Sequence, residues 1–363
     1  MELRLVRHNN IRLRQNNFDL LRLLFAGVVC LVHASVLSGF QSLAWIPNIL
    51  SSEIAVRSFF VLSGFLIFMS YERSSSLSSY FNKRIRRIYP AYFTVVIICA
   101  ISMVTISTNT IADYFSFAWL KYLLSNLTFL NFIQHELPGV FETNKMAAVN
   151  GALWTLKIEV MFYLTVPLFV LLFRKFSLLP TLVIIYCLSI AYVELMSVMA
   201  AQTESPVYTM LGHQLPGQLS YFIAGAFFYY YLPLFERFIG YFLGFSISVL
   251  VINMFYALPF LEPFCLAAVV VFFGLFLYVG NVGKFGDFSY GVYILHFPII
   301  QMLLYLDYFH DAPWQFLATV VFTTVIGAIA LWHLIEKRFL LRKSHYVSAT
   351  SSNDHNVPNG GSA

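Results

Sequence analysis

The sequence predicts an all-α integral membrane protein of about ten transmembrane helices, with N- and C-termini cytoplasmic and a central cavity. Three observations carry this. Hydrophobic residues make up 59% of the 363 positions and charged residues only 11%, a balance that excludes an ordinary soluble domain. The 38 Phe and 22 Tyr supply more apolar surface than a core of this size can bury, so lipid must solvate much of it. With the N-terminus in the cytoplasm, 18 of the 22 Lys and Arg fall at cytoplasmic ends, leaving Arg57, Lys121, Lys145 and Lys157. Inverting the chain would reverse that bias.

The elements follow in order. Residues 1–16 are polar, with Arg4, Arg7, Arg12 and Arg14, and read as a cytoplasmic arm that leads into a full-length span rather than a removable signal peptide. Spans are expected at 18–39 and 53–71. A serine-rich link then ends in Lys83-Arg84-Ile85-Arg86-Arg87. The third span, 88–107, opens with Ile88-Tyr89-Pro90, where a first-turn proline costs little. Residues 108–150 are mixed, with an amphipathic piece near 114–133 suited to the membrane interface or to a pair of half-spans. Seven further spans are expected at 152–173, 178–200, 216–234, 239–257, 263–280, 288–306 and 313–335, the last ending at Glu336-Lys337-Arg338. Residues 17–343 thus form one membrane domain, and 344–363 lack apolar periodicity and read as a disordered tail. The absence of an internal repeat argues against an inverted-repeat transporter. Cys30, Cys99, Cys187 and Cys265 fall inside apolar runs with no metal-type spacing, as small buried hydrophobes do. The net charge of +5 forms no interleaved basic patch, so no nucleic-acid partner is expected.

The first span carries the chemistry. At about 100° per residue, Arg22 and His33 fall within roughly 20° of one face, and Asp19 about 40° to the other side of His33. Ionisable groups within a span are costly and mark a functional interior. His33 lies roughly 22 Å in from the cytoplasmic start of its helix, and Glu159 enters from the opposite side, about 10 Å below the outer surface. In a bilayer core of about 30 Å those depths nearly coincide. An imidazole beside a carboxylate is what a general base needs. Alternatively, His33 is a helix-packing hydrogen bonder and Glu159 is neutralised by Lys157 or a tyrosine. Arg84 and Arg87, three apart, present two guanidinium forks on one face, suited either to a multiply charged phosphate ligand or to lipid phosphates. Arg22 at the same membrane face favours a ligand with phosphates at one end and its reactive group at the other. His296 reads as a structural histidine or as a second group lining the cavity. Glu336 either pairs with its basic neighbours or orients the arginines. Glu53 and Arg57, four apart, form an expected ion pair that is also placed to contact an acceptor.

These residues fall in a recognisable series. Asp19-Leu-Leu-Arg22 is followed by His33, then Phe59-Phe60-Val61-Leu62-Ser63-Gly64-Phe65, then Arg84-Ile-Arg-Arg87 before Ile88-Tyr89-Pro90. Trp154-Thr155-Leu156-Lys157-Ile158-Glu159 with Phe162-Tyr163 comes next, then Ser289-Tyr290-Gly291 through His296, and Glu336-Lys337. Over residues 18–338 the chain resembles the type 3 membrane acyltransferases, which include bacterial O-antigen and nodulation-factor acetylases. The resemblance implies a multi-pass protein of the bacterial inner membrane. It implies transfer of an acyl group from cytoplasmic acyl-coenzyme A, here acetyl-CoA, to a hydroxyl of a glycan or lipid-linked saccharide such as O-antigen, with no metal. His33 matches the family's essential histidine, Arg22 the arginine of its Arg/Lys-x10-His motif, Arg84 and Arg87 its Arg-x-x-Arg motif, and Glu336 its late glutamate. The expected site is therefore His33 with Glu159 for catalysis and Arg22, Arg84, Arg87 and Glu336 for the donor, with Asp19, Arg57, Tyr163 and His296 toward the acceptor. Arg57 stands where members often have Asp, and Arg338 where Pro commonly follows Glu-Lys. The competing class is a transporter or flippase of a lipid-linked glycan, which would move substrate without acetylating it.

Overall fold

The computed structural model describes residues 11–13, 15–280 and 282–340. Most of the expected N-terminal arm and all of the expected C-terminal tail lie outside the described residues. Among those described, every regular element is helical. The eleven longest helices are α1 (Phe18–Ser38), α2 (Ser52–Glu72), α3 (Leu77–Ser102), α4 (Phe117–Leu127), α5 (Trp154–Phe176), α6 (Leu178–Thr203), α7 (Leu215–Tyr230), α8 (Ile239–Asn253), α9 (Glu262–Leu275), α10 (Ser289–Leu306) and α11 (Pro313–Leu331). Seven of them are long and apolar enough to cross a membrane: α1, α2, α3, α5, α6, α10 and α11. Helices stand at the other three expected spans as well, but α7, α8 and α9 have only 16, 15 and 14 residues. At 1.5 Å per residue these reach about 21–24 Å, short of a bilayer core of about 30 Å.

Two expectations are corrected. Helix α3 begins at Leu77, not at 88, so Arg84 and Arg87 are helical and Pro90 lies in the helix interior rather than in a first turn. Hydropathy marks only the lipid-facing part of this helix. Its polar start is fixed by Ser76, whose hydroxyl accepts the Ser79 N–H at 3.1 Å as an N-cap, and by an Arg86–Asn82 hydrogen bond one turn apart at 2.9 Å. The amphipathic stretch is not a pair of half-spans of the expected length. It holds the 11-residue α4, with Tyr122, Ser125 and Asn126 buried and Phe117, Leu120 and Leu124 exposed, an apolar outer face of the kind that rests against lipid.

The chain divides into two compact units. The first comprises the described residues up to Leu21, Glu53–Tyr80 and Thr155–Gly280. Here Asn17 closes the C-terminal end of α9: its carboxamide donates to the carbonyls of Phe273 (2.9 Å) and Leu277 (2.5 Å), groups a helix leaves without intrahelical partners. Helices α2 and α7 cross with their backbones in contact. A Cβ on Gly64 would collide with the Phe222 carbonyl, and one on Gly225 with the Val61 carbonyl. This reciprocal use of small residues is how membrane helices gain close packing without a hydrophobic drive, and it explains the glycine of the Phe59–Phe65 motif.

The second unit comprises Arg22–Ser52, Phe81–Trp154 and the described residues from 282 onward. Its long segment between α3 and α5 is fastened by polar side chains. Asn150 donates to the Ile294 carbonyl at 2.9 Å, and Gln301 donates to the carbonyls of Met146 and Ala148 at 2.5 and 2.7 Å. Tyr290 donates to the Ile88 carbonyl at 3.0 Å, tying α10 to α3. Gly291 lies against Ala328, bringing α10 and α11 together.

Candidate active site

The second unit assembles most of the expected residues along one seam. The face of α1 that carries Arg22 and His33 meets the segment Asp287–His296: Arg22 faces Asp287 and His33 faces His296. The two spacings agree, eleven residues on α1 and nine on the opposite strand of contacts, or roughly 16 and 14 Å by helical rise. The two segments therefore run parallel, with a charged cluster at one end and a histidine pair at the other.

At the charged end, Asp287 is 1% exposed and binds both Arg87 and Arg22, the latter at 3.6 Å. Arg87 also donates to Glu336 at 3.1 Å, so its fork bridges two buried carboxylates. The second oxygen of Glu336 is buried without a hydrogen-bond partner among the described residues. Glu336 ends a π-helical turn, Trp332–Glu336, at the foot of α11, and such turns are frequent at functional sites. Asp287 stands two residues ahead of the first residue of α10 and accepts the Ser289 N–H at 3.2 Å and the Ser289 hydroxyl, as in an Asx-turn. Burial alone would raise its pKa. The charges of Arg87 and Arg22 and the Ser289 bonds outweigh burial and hold the carboxyl below its ordinary value. The residue before it, Gly286, has φ +123°, and a Cβ there would strike the Trp332 ring, so only glycine fits. Arg84 sits half-buried one turn before Arg87 on α3.

At the other end, His33 Nδ1 and His296 Nε2 are 2.9 Å apart, and His296 Nδ1 is 3.2 Å from the Val292 carbonyl one turn back. This chain fixes both tautomers. A carbonyl only accepts, so His296 carries its proton on Nδ1 and presents a lone pair at Nε2. His33 must then donate from Nδ1, which leaves the lone pair of the neutral ring on its Nε2. His296 is fully buried and His33 half-buried. The Phe297 ring packs edge-to-face with the His33 ring, their centroids 5.6 Å apart, and limits its rotation.

The remaining expected residues lie in the first unit. Glu159 accepts the Tyr163 hydroxyl at 2.6 Å, and Lys157 donates to Gln214 at 2.5 Å. Of the two partners foreseen for neutralising Glu159, the structure shows the tyrosine. The ring nitrogen of His33 that an orienting group would hold is engaged by His296. Asp19 is half-buried in the first turn of α1. The expected Glu53–Arg57 ion pair is present at 2.5 Å, joined by Glu262 at 2.7 Å from Arg57. Among the described residues, no group of three or more His, Cys, Asp or Glu is placed to hold a metal ion.

Asp287 was missed in the sequence. The signal was present: a carboxylate directly before a helix, two residues ahead of Ser289, facing a membrane side crowded with arginines.

A model of the acyltransferase domain family matches residues 15–333, a range that takes in Arg22, His33, Arg84, Arg87, Asp287 and His296. The chain belongs to this family. It is 26% identical over 349 residues to nodulation protein 10 of Rhizobium leguminosarum bv. viciae, covering 89% of this chain and 92% of that protein. It is also 26% identical over 359 residues to the O-acetyl transferase of Shigella phage Sf6, covering 92% of this chain and 99% of that one. A shorter stretch, 36% of this chain and 22% of the relative, is 29% identical to the peptidoglycan O-acetyltransferase OatA of Listeria monocytogenes. No solved structure matches the chain.

Proposed function

We propose that the protein is a membrane O-acetyltransferase that moves an acetyl group from cytoplasmic acetyl-CoA to a hydroxyl of a cell-surface glycan such as O-antigen, with His33 as general base. The observation that carries this reading is the tautomer chain from the Val292 carbonyl through His296 to His33, which leaves an unshared pair on His33 Nε2. In this mechanism His33 Nε2 takes the proton of the sugar hydroxyl as its oxygen bonds to the acetyl carbon. The carbon–sulfur bond to coenzyme A then breaks, and the departing thiolate takes the proton back from His33. The imidazolium formed in between keeps its Nδ1–H on the His296 lone pair, so no hydrogen bond is lost as the charge develops. His296 takes the orienting role first expected of Glu159.

Arg87, Arg22 and Arg84 are the donor's phosphate ligands in this reading. Asp287 and Glu336 already hold the guanidinium forks of Arg22 and Arg87, so the phosphates compete with these carboxyl groups for them. Arg84 adds a third guanidinium one turn before Arg87. The orientation follows the arginines: N- and C-termini in the cytoplasm of a bacterial inner membrane, with the donor entering from that face.

Support also comes from the two near-full-length relatives, one of them an O-acetyl transferase by name. The test is mass spectrometry of surface glycan from cells carrying the wild type, His33→Ala or no protein. An acetyl mass difference present only with the wild type is expected. Identical glycan in all three would refute the enzyme reading and leave a transporter.

A further inference from the structure

A cavity of about 270 Å³ lies wholly within the first unit, bounded by the starts of α2, α7 and α9 and the latter part of α6. It has no part in the donor chemistry above. Its volume sits just under the lower end of ordinary ligand sites, about 300 Å³, too small for a nucleotide thioester or a lipid but suited to a single ring-sized group.

Its wall is polar in a particular way. Arg57 is bound on both sides, by Glu53 at 2.5 Å and Glu262 at 2.7 Å, and its guanidinium lies 5.1 Å from the centre of the Tyr221 ring. Tyr221 donates to Glu262 at 3.1 Å. Glu194 adds a third carboxylate to the lining, so the ionised side chains carry a net negative charge. Phosphates and uronic acids are repelled from such a wall, and groups that donate hydrogen bonds are attracted. Gln218 also lines the cavity; it is 8% exposed, and its carboxamide has no hydrogen-bond partner among the described residues. The carboxamide is open to the cavity and suits a ligand that both donates and accepts. Hydroxyl groups do both. Val193 and Pro263 complete the lining with apolar surface for the C–H faces of a ring.

We infer that this cavity is a saccharide-binding site that seats a non-acidic sugar residue of the acceptor glycan, with Gln218 and the Glu53–Arg57–Glu262 group as its hydrogen-bonding wall. The inference rests on the acetyl-transfer reading and gives that reading a seat for its acceptor. Hydroxyls of the sugar donate to the carboxylates, and the Gln218 carboxamide takes one hydroxyl as donor and another as acceptor. Arg57 holds two carboxylates in position as acceptors.

The test uses membranes containing the full chain, radiolabelled acetyl-CoA, and surface glycan of the host cell stripped of esters by mild alkali. Two variants are compared with the wild type: Ser197→Trp, an exposed lining position whose new ring fills the cavity, and Gln218→Leu, which keeps the shape and removes the amide. Both are expected to raise the acceptor KM about tenfold or more while leaving the acetyl-CoA KM unchanged. Transfer by both variants with acceptor KM within twofold of wild type would overturn the sugar site and leave the enzyme reading standing. Absence of transfer by the wild type itself would overturn both.

Discussion

The two ends of the α1–α10 seam solve the same problem differently. Both hold polar groups away from water. At the Arg22 end the groups are ionisable and bound to one another: Arg22 and Arg87 on Asp287, Arg87 on Glu336. At the other end they are neutral and satisfied in series, from the Val292 carbonyl through His296 to His33. A mutual network resists change, because removing one member strands a charge. A series has a free end. That end is His33 Nε2, and it is where a proton can be taken without disturbing anything upstream. In the proposed mechanism the Arg22 end serves stability and ligand competition, and the His33 end serves reaction.

Mutations at the two ends should therefore separate activity from stability. The largest effect is expected from His33→Ala, which removes the free end. Transfer measured with radiolabelled acetyl-CoA should fall by about 10²- to 10⁴-fold, with no more than a modest change in detergent melting temperature. Asp287→Ala should do the opposite first. Stranding two arginines should destabilise the fold by about 3–5 kcal/mol, read as a clear fall in melting temperature, and Asp287→Asn should recover only part of it. An unchanged melting temperature would mean that Asp287 is not paired as described.

His296→Ala comes next. His33 would keep its lone pair but lose the partner that fixes the tautomer, so kcat should fall by about 10- to 100-fold, the range seen for outer partners of other imidazole sites. The acetyl-CoA KM should hold. A loss confined to KM would assign His296 to the donor instead. Arg87→Lys should have a smaller effect, weakening acetyl-CoA binding because a point charge cannot bridge two carboxylates and a phosphate as a fork does.

The smallest effect is a pH dependence. Asp287 has its pKa held below the ordinary carboxylate value. Its contribution to stability is therefore fully present above the unfolded value of about 3.9 and is lost as pH falls through the depressed folded value. The melting-temperature advantage of wild type over Asp287→Asn should be flat from pH 5 to 8 and shrink only below about pH 4. A decline already visible between pH 6 and 5 would contradict the buried pairing.

Much of this arrangement was legible in the residues. The apolar runs placed a helix at every expected span, and helical spacing put Arg22 and His33 on one face, which the contacts bear out. The Glu53–Arg57 pair followed from its four-residue spacing. What escaped has physical causes. Hydropathy measures lipid contact, so it passed over the polar first turns of α3 and misplaced Pro90. Spacing along one helix finds groups that share a face but not the groups opposite. Asp287 lies outside any apolar run, and His296 is expected in the site but not as the partner of His33. Their roles depend on α10 lying parallel to α1, a tertiary fact. Matched depth, the ground for expecting Glu159 beside His33, does not specify which neighbour a ring nitrogen meets; His33 Nδ1 meets His296, and Glu159 meets Tyr163.

The central claim is a protonation pattern, so it is best read at the nitrogens themselves. Solid-state NMR of protein labelled with ¹⁵N-histidine, assigned by difference against His33→Ala and His296→Gln, reports which ring nitrogen carries the proton. At neutral pH both rings should be neutral, each protonated on Nδ1 and bare on Nε2. Finding His33 protonated on Nε2 at rest would contradict the account, because the nitrogen assigned as base would have no lone pair to offer.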